Sequence, residues 1–394
     1  MSDETRTDTA FVTHGWRSED RPRELHSELL EINMGPQHPA THGVLRLLVR
    51  AEGEVVREVV PYIGYLHRCA EKAAEGNDWR QWMVYTDRFD YLAPMNMNFG
   101  YAVAVERMLG IEVPERAEHI RVICAELQRI ASHLIAIGTF GLDMGAWTPL
   151  LYCFREREEI LNIFERLSGG RMLYNFFDIG GVHFDLPDGF KEEVLDFVNI
   201  MEQKLDEYNT LLSYNKIFIE RTADVGVIPL DVAHAYGCTG PVLRGSGQPF
   251  DCRKDDPYSI YDRFEFDIPY GEGEMGTVGD AWDRYMVRVR EIYESCRIIR
   301  QALDSLPEGP IMAPELKKMV KVPAGSLYTR TESSKGEIGF HIFADGGSKP
   351  FRLKVRSPSF CNLSVVEKVG PGLMISDLVA LVGSLDIVLG EIDR

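Results

Sequence analysis

No two of the seven cysteines, Cys69, Cys124, Cys153, Cys238, Cys252, Cys296 and Cys361, stand in a Cys-x-x-Cys pair. That removes the usual spacing for zinc, or for an iron–sulfur cluster held by this chain alone. An odd number of scattered cysteines fits a reducing compartment, where they serve as small buried hydrophobes. Basic residues are also short: Lys and Arg total 43 against 61 Asp and Glu, a formal charge of −18. Nucleic acid binding and a broad anionic-lipid surface both need clustered cations, so the balance argues against either. No apolar run reaches the length of a membrane span. No Gly-x-Gly-x-x-Gly run follows a strand and opens a helix; Arg244-Gly245-Ser246-Gly247 lacks the third glycine, so no bound NAD is expected. Repeats and low-complexity linkers are missing too. The stretch from Met1 to about Glu24 is polar and has no apolar signal-peptide core, which predicts a flexible lead-in on a cytoplasmic protein.

What is present is enough for a large core: 394 residues, 45% of them hydrophobic. The pattern predicts an α+β chain in three blocks after a lead-in over 1–27. A small antiparallel β-unit over 28–65 is expected from Leu29–Asn33, Val44–Val49 and Val55–Val60, with a turn at Glu52-Gly53-Glu54. A helical bundle follows over 66–216. Its long helices are predicted at Asn96–Leu109, Pro114–Gly138, Thr148–Leu167 and Phe190–Leu212, the second carrying an Ile120, Ile123, Leu127, Ile130, Leu134 stripe. A mixed α/β region over 217–394 packs on the bundle. It contains a helix at Trp282–Leu306, strands at Ser326–Glu332, Glu337–Ala344 and Arg352–Arg356, and an apolar helix at Met374–Ser384. One compact assembly is expected rather than separable domains.

Chemistry concentrates in Gly35-Pro36-Gln37-His38-Pro39-Ala40-Thr41-His42-Gly43, between the first two predicted strands. Two prolines and two glycines exclude a regular helix, so a stiff loop at a hairpin tip carries two imidazoles that titrate near neutral pH. A tight turn with one capping and one solvated histidine explains the same residues without function. Four further points stand out: His67-Arg68-Cys69-Ala70-Glu71-Lys72; Phe89-Asp90-Tyr91 just before a helix; Thr139 and Asp143, four apart and on one face if the helix continues that far; and Gly180-Gly181-Val182-His183. Singly, each has an ordinary structural explanation: caps, core aromatics, loop acids.

Taken in order, these runs, with Leu142-Asp143-Met144-Gly145-Ala146, Leu243-Arg244-Gly245-Ser246-Gly247 and the terminal Gly390-Glu391-Ile392-Asp393-Arg394, resemble one family over about Glu31 to Arg394. It is the quinone-site, D-subunit family of respiratory NADH–quinone oxidoreductase, complex I, related to the large subunit of nickel–iron hydrogenases. The resemblance implies a hydrogenase-large-subunit-like fold that has lost the paired cysteines of the nickel site. It implies a headgroup site for ubiquinone or menaquinone as substrate, with no metal, flavin or NAD on this chain. A tetranuclear iron–sulfur cluster would sit on the adjacent small subunit. Carried over residue by residue, His42 and Tyr91 match the pair that binds and protonates the quinone, Asp143 the partner of His42, and Thr139 the cavity lining. Arg68 and His183 match positions beside the partner's cluster, and His38 is expected to be structural. Implied partners are four other subunits of complex I: the iron–sulfur small (B) subunit, the C subunit, the cluster-bearing I subunit and the membrane (H) subunit. The chain would be peripheral on the cytoplasmic face of a bacterial inner membrane, in a complex that pumps protons.

Three departures from the family are visible. Cys69 stands where many members have Gly. Asp178-Ile179 replaces a common Arg-Pro before the Gly-Gly-Val-His run. The stretch Pro307–Ser326 is short, and no role is carried onto it. Two other classes compete: a hydrogenase-like nickel enzyme, disfavoured by the missing Cys-x-x-Cys pairs, and a quinone-site or scaffold component of a related membrane complex fed by a donor other than NADH.

Overall fold

A computed structural model describes residues 29–394 apart from His42, Glu315, Lys317 and Lys318. The expected lead-in over 1–27 therefore lies outside the described residues. The chain is α+β. It opens with three antiparallel strands in the order β1 (Leu30–Met34), β2 (Arg46–Glu52) and β3 (Val55–Tyr62). Met34 pairs with Leu47, so the residues between them form the predicted hairpin loop, and a bulge at Arg50/Ala51 adjusts the second pairing.

Among the described residues five long helices form the body: α1 (Pro94–Leu109), α2 (Glu115–Asp143), α3 (Trp147–Ser168), α4 (Phe190–Tyr208) and α5 (Ala281–Asp304). Pro94 occupies the first turn of α1, where a missing N–H costs nothing. Glu115 and Glu118 complement the positive end of α2, and Asp280 caps α5 through the Asp283 N–H. The sequence predicts that α2 stops near Gly138; it runs on to Asp143. A β-carbon at Gly138 would stand 3.1 Å from the Leu150 Cα, so this glycine lets α2 and α3 cross closely rather than ending the helix. The helix predicted to Leu212 is α-helical to Tyr208 and finishes as a π-turn over Asn209–Ser213.

Between α3 and α4 lies a short hairpin, β4 (Phe177–Asp178) with β5 (Gly181–Val182). After α5 come β6 (Gly325–Ser333), β7 (Gly336–Ala344) and β8 (Arg352–Arg356), an antiparallel sheet in sequence order. The chain closes with α6 (Pro358–Ser364), α7 (Ile375–Leu385) and α8 (Leu389–Asp393). Several shorter helical turns, among them Ala70–Ala74 and Trp79–Thr86, escape the sequence reading because they span under three helical turns.

Two apolar cores result. The larger gathers α1 to α5 with the inner face of the β6–β8 sheet. The smaller joins Leu47, Val49, Val56 and Val59 of the first sheet to Leu378, Leu381, Leu385, Leu389 and Ile392 near the C-terminus. Each such side chain contributes roughly 1.5–3 kcal/mol when fully buried. The C-terminal segment also bonds to the edge of β3: Val56 donates to Leu373 O and Gly372 to Val56 O, both at 2.8 Å. The hairpin loop is thereby held against α7 and α8. Among the described residues no helix is long and apolar enough to cross a membrane.

Candidate functional site

The loop carrying the histidines folds back on itself. Gly35 has φ +88°, and a β-carbon there would overlap Leu45 O at 2.0 Å, so only glycine fits. The Gly35–Pro36 peptide is cis. Pro39–Thr41 forms a single 3-10 turn, in which Thr41 donates to His38 O through N (3.1 Å) and Oγ1 (2.8 Å). Thr41 is buried, and the turn packs on α7. His38 is exposed at the tip. His42 lies outside the described residues; its neighbour Gly43 faces Leu389 of α8, whose Cδ1 is 3.3 Å from where a β-carbon would be.

Tyr91 and Asp143 meet the same C-terminal segment. Tyr91 sits half-buried in the turn before α1, its Cδ1 3.3 Å from the β-carbon position of Gly390. Burial pushes the Tyr91 phenol above its ordinary value; the Asp90 carboxylate acts in the same sense and Arg68 opposes. Asp143 is the last residue of α2, and its Oδ2 lies 2.9 Å from the β-carbon position of Gly383 in α7. Side chains larger than hydrogen at 383 and 390 would fill the space against Asp143 and Tyr91. Because α2 continues to Asp143, Thr139 falls on the same face one turn earlier, its hydroxyl donating to Ile135 O at 2.8 Å.

Arg68 reaches across this group. Its Nη2 donates to Arg88 O at 2.6 Å and to Gly390 O at 3.4 Å, beside Tyr91. The preceding His67 donates from Nδ1 to Asp393 O at 2.6 Å, and the Asp393 carboxylate accepts from Gly64 and Leu66 N–H. Cys69 is exposed and left-handed, with φ +57°, a conformation glycine adopts without strain. His183 is exposed at the end of the β4–β5 hairpin, its N–H on Phe176 O. Asp178 is paired with Arg80, Nε to Oδ1 3.2 Å.

A cavity of about 730 Å³ lies between α3 and α4 among Arg155, Glu159, Ile163, Phe197 and Ile200, and no candidate residue lines it. A cavity of about 220 Å³ borders α8 on another side, lined by His67, Glu71, Ile392, Asp393 and Arg394. No cluster of three or more His, Cys, Asp or Glu among the described residues is arranged to hold a metal ion.

Sequence reasoning missed the buried ions. On α2, Glu126, Arg129 and His133 are fully buried; on α5, Arg284, Arg288 and Glu291 are too. Arg253 bonds Glu126 Oε2 (3.0 Å) and Asp251 Oδ2 (2.6 Å), and Arg129 Nε lies 3.2 Å from Glu126. Arg244 bonds Glu291 Oε1 (2.7 Å) and Glu332 Oε1 (2.8 Å). His133 Nε2 donates to Glu291 Oε2 at 2.7 Å, and burial pushes its imidazole down to about 4, so it is neutral. The run Leu243–Gly247 thus serves to bury Arg244. A second cluster underlies Tyr91: Lys335 Nζ lies 2.5 Å from Asp386 Oδ2 and 3.0 Å from Ser132 Oγ, with Asp90 and Glu391 buried beside them. Polar residues at helical spacing on otherwise apolar faces were the available signal.

Comparison with known proteins agrees with the motifs. The family described as the 49 kDa subunit of respiratory-chain NADH dehydrogenase matches residues 143–394. The chain is 53% identical to the D 1 subunit of NADH-quinone oxidoreductase from Cytophaga hutchinsonii over 372 residues, 92% of this chain and 95% of the relative. It is 51% identical to the D subunit of the same enzyme from Chlorobium phaeovibrioides, covering 94% of each. Against the D subunit from Geotalea uraniireducens it is 48% identical over 93% of this chain and 99% of the relative.

Proposed function

Because the chain belongs to the family of the 49 kDa subunit of respiratory-chain NADH dehydrogenase, we propose that it forms the quinone headgroup site of a proton-pumping NADH–quinone oxidoreductase. The observation that carries this reading is the convergence of the His loop, Tyr91 and Asp143 on one short stretch, Gly383 to Gly390. Two-electron reduction of a quinone puts negative charge on both oxygens, and each oxygen then needs a proton donor. Tyr91 supplies one. Its phenol, raised by burial, stays protonated in the resting site and gives its proton up only when a strong base forms beside it. His42 supplies the other, and Asp143 favours and orients the imidazolium from the end of α2. Thr139, one turn before Asp143 on the same face of α2, would line the headgroup site.

Electrons would come from a tetranuclear iron–sulfur cluster on the adjacent small (B) subunit, through the surface that exposes His183. A cation at Arg68 and an imidazole donor at His183 would stabilise the reduced, more negative cluster. The C and I subunits would pack against the same peripheral assembly. Quinone is lipid-soluble, so the open side of the site would face the membrane (H) subunit, with this chain peripheral on the cytoplasmic face of the bacterial inner membrane. Ubiquinone and menaquinone share the two carbonyls that this chemistry addresses.

The test is NADH-driven quinone reduction by the assembly purified through a tag on this chain, wild type against Tyr91→Phe. Loss of about 100-fold in kcat at unchanged iron–sulfur content is expected. Full activity in Tyr91→Phe would sink the headgroup role. An intact wild-type complex that ignores NADH would point to another donor.

A further inference from the structure

Two buried carboxyls beneath Tyr91 have no cation of their own. Asp90 is fully buried; its Oδ1 accepts from Leu92 N at 3.0 Å, and its Oδ2 has no partner among the described residues. Glu391 is fully buried in α8; its Oε2 accepts from Ser359 Oγ of α6, and its Oε1 likewise has no partner among the described residues. The two sense one another electrostatically. Lys335, from the β6–β7 turn, is an ammonium that acts on both electrostatically, and it is committed to Asp386 at 2.5 Å. Other charges facing the group are Arg356 from the end of β8, Arg288 of α5, which stands 3.6 Å from Asp386, and Arg68 across Tyr91. Asp143 lies above α7 at Gly383. Two carboxylates buried together without a counter-ion ionise together only at a high cost, so at rest a proton shared between them removes the repulsion and satisfies an orphaned oxygen. Burial pushes Glu391 up to about 8 and moves Asp90 in the same direction.

Tyr91 is the residue after Asp90 and packs on Gly390, the residue before Glu391. Each member of the pair is therefore the chain neighbour of one side of this contact, and the Asp90 carboxyl acts electrostatically on the phenol. We propose that Asp90 and Glu391 hold a single proton between them and return it to Tyr91 after the phenol has protonated reduced quinone. The idea rests on the quinone-site reading above. In the step, the Tyr91 O–H bond breaks as its proton passes to the quinone oxygen, leaving a phenolate. The O–H bond of the carboxyl pair then breaks and its proton re-forms the phenol, leaving both carboxylates ionised; no electron moves. The pair recovers its proton from solvent, and the cavity of about 220 Å³ that borders α8 offers a wet flank with His67 and Glu71 on its wall. Asp90 and Glu391 are positioning and supply groups that act through Tyr91.

The experiment uses the purified assembly with Glu391→Gln, and Asp90→Asn in parallel should one variant fail to assemble. Infrared pH-difference spectra should show the carbonyl band of a protonated carboxylic acid near pH 7 in wild type and its loss in Glu391→Gln. Quinone reduction should keep its KM while kcat falls about tenfold, most steeply toward alkaline pH, with partial rescue by Glu391→Asp. Absence of the band in wild type, or wild-type kcat in both variants between about pH 6 and pH 9, overturns the proposal. The infrared readout involves no quinone. Full activity of Tyr91→Phe strikes the quinone-site reading itself; a missing band with Tyr91 still required strikes only the proton pair.

Discussion

Two buried regions of the molecule treat charge in opposite ways. Around Arg244, each of the carboxylates Glu126, Asp251, Glu291 and Glu332 has a guanidinium within 3.4 Å. Around Tyr91, Asp386 has Lys335, while Asp90 and Glu391 have neither an ion-pair partner within contact distance nor full hydrogen bonding among the described residues. Pairing each carboxylate with a guanidinium ties such an interior together, although burial still raises Glu332. Leaving two acids short of cations makes an interior that must carry a proton. The first arrangement ties α2, α5 and the β6–β7 turn into one body; the second lies where α8, the turn before α1 and the His loop meet. On the proposed reading, structure and proton chemistry are kept apart within a single chain.

The largest expected effect comes from breaking the paired region. Arg244→Ala leaves Glu291 and Glu332 buried without their shared guanidinium, and removing one partner of a buried pair costs about 3–5 kcal/mol. Amide hydrogen exchange over Ala281–Asp304 in the purified protein should show that loss as faster exchange throughout the helix. A loss under about 1 kcal/mol would mean that the lattice is solvated in practice and that the contrast between the two regions is overstated.

Much of this frame was readable beforehand, and the reasons differ by element. The hairpin that presents the His loop followed from alternation and from prolines and glycines that leave few alternatives. The end of α2 did not, because Gly138 serves a close crossing with α3 whose burial outweighs the ~1 kcal/mol a mid-helix glycine costs. The end of α4 turns into a π-turn, which a 3.6-residue period has no means to announce. Tyr91 and Asp143 were named from family motifs; their approach to Gly390 and Gly383 is a long-range fact of folding. The ionic lattice was invisible as a lattice: Glu126 and Arg253 are 127 residues apart, and nothing local says that they touch.

The next effect is one of sign. Asp251 is held low, at about 2: burial alone would raise it, but Arg253 and Arg244 outweigh burial. Its contribution is present above its ordinary value of 3.8 and is lost as pH falls toward 2. Glu391 is raised to about 8, so its contribution is full below its ordinary 4.5 and is lost as pH rises through about 8. Local stability around α8, measured by hydrogen exchange, should therefore decline from mildly acidic to alkaline pH, by at most about 1.4 kcal/mol per pH unit for one proton. Glu391→Gln should flatten that slope and leave the acid limb of the Arg244 lattice unchanged. A slope that survives the substitution assigns the titration elsewhere.

The smallest effect tests whether the rim of the Tyr91 region also tolerates strain. Cys69 holds φ +57° next to His67 and Arg68, and its Sγ lies 3.6 Å from His67 Nε2. A side chain in the left-handed region costs roughly 1–2 kcal/mol. Glycine removes that cost but adds freedom to the unfolded chain worth about 0.4–1 kcal/mol. Cys69→Gly should therefore stabilise by about 1 kcal/mol at most, read as a higher midpoint of thermal unfolding. Cys69→Ala keeps the strained backbone and loses the thiol contact, so it should gain nothing. Equal gains in both variants would trace the effect to the thiol. A gain confined to glycine would show that strain is stored in the segment that holds Arg68 against Gly390, while the residues of the paired lattice hold ordinary backbone geometry.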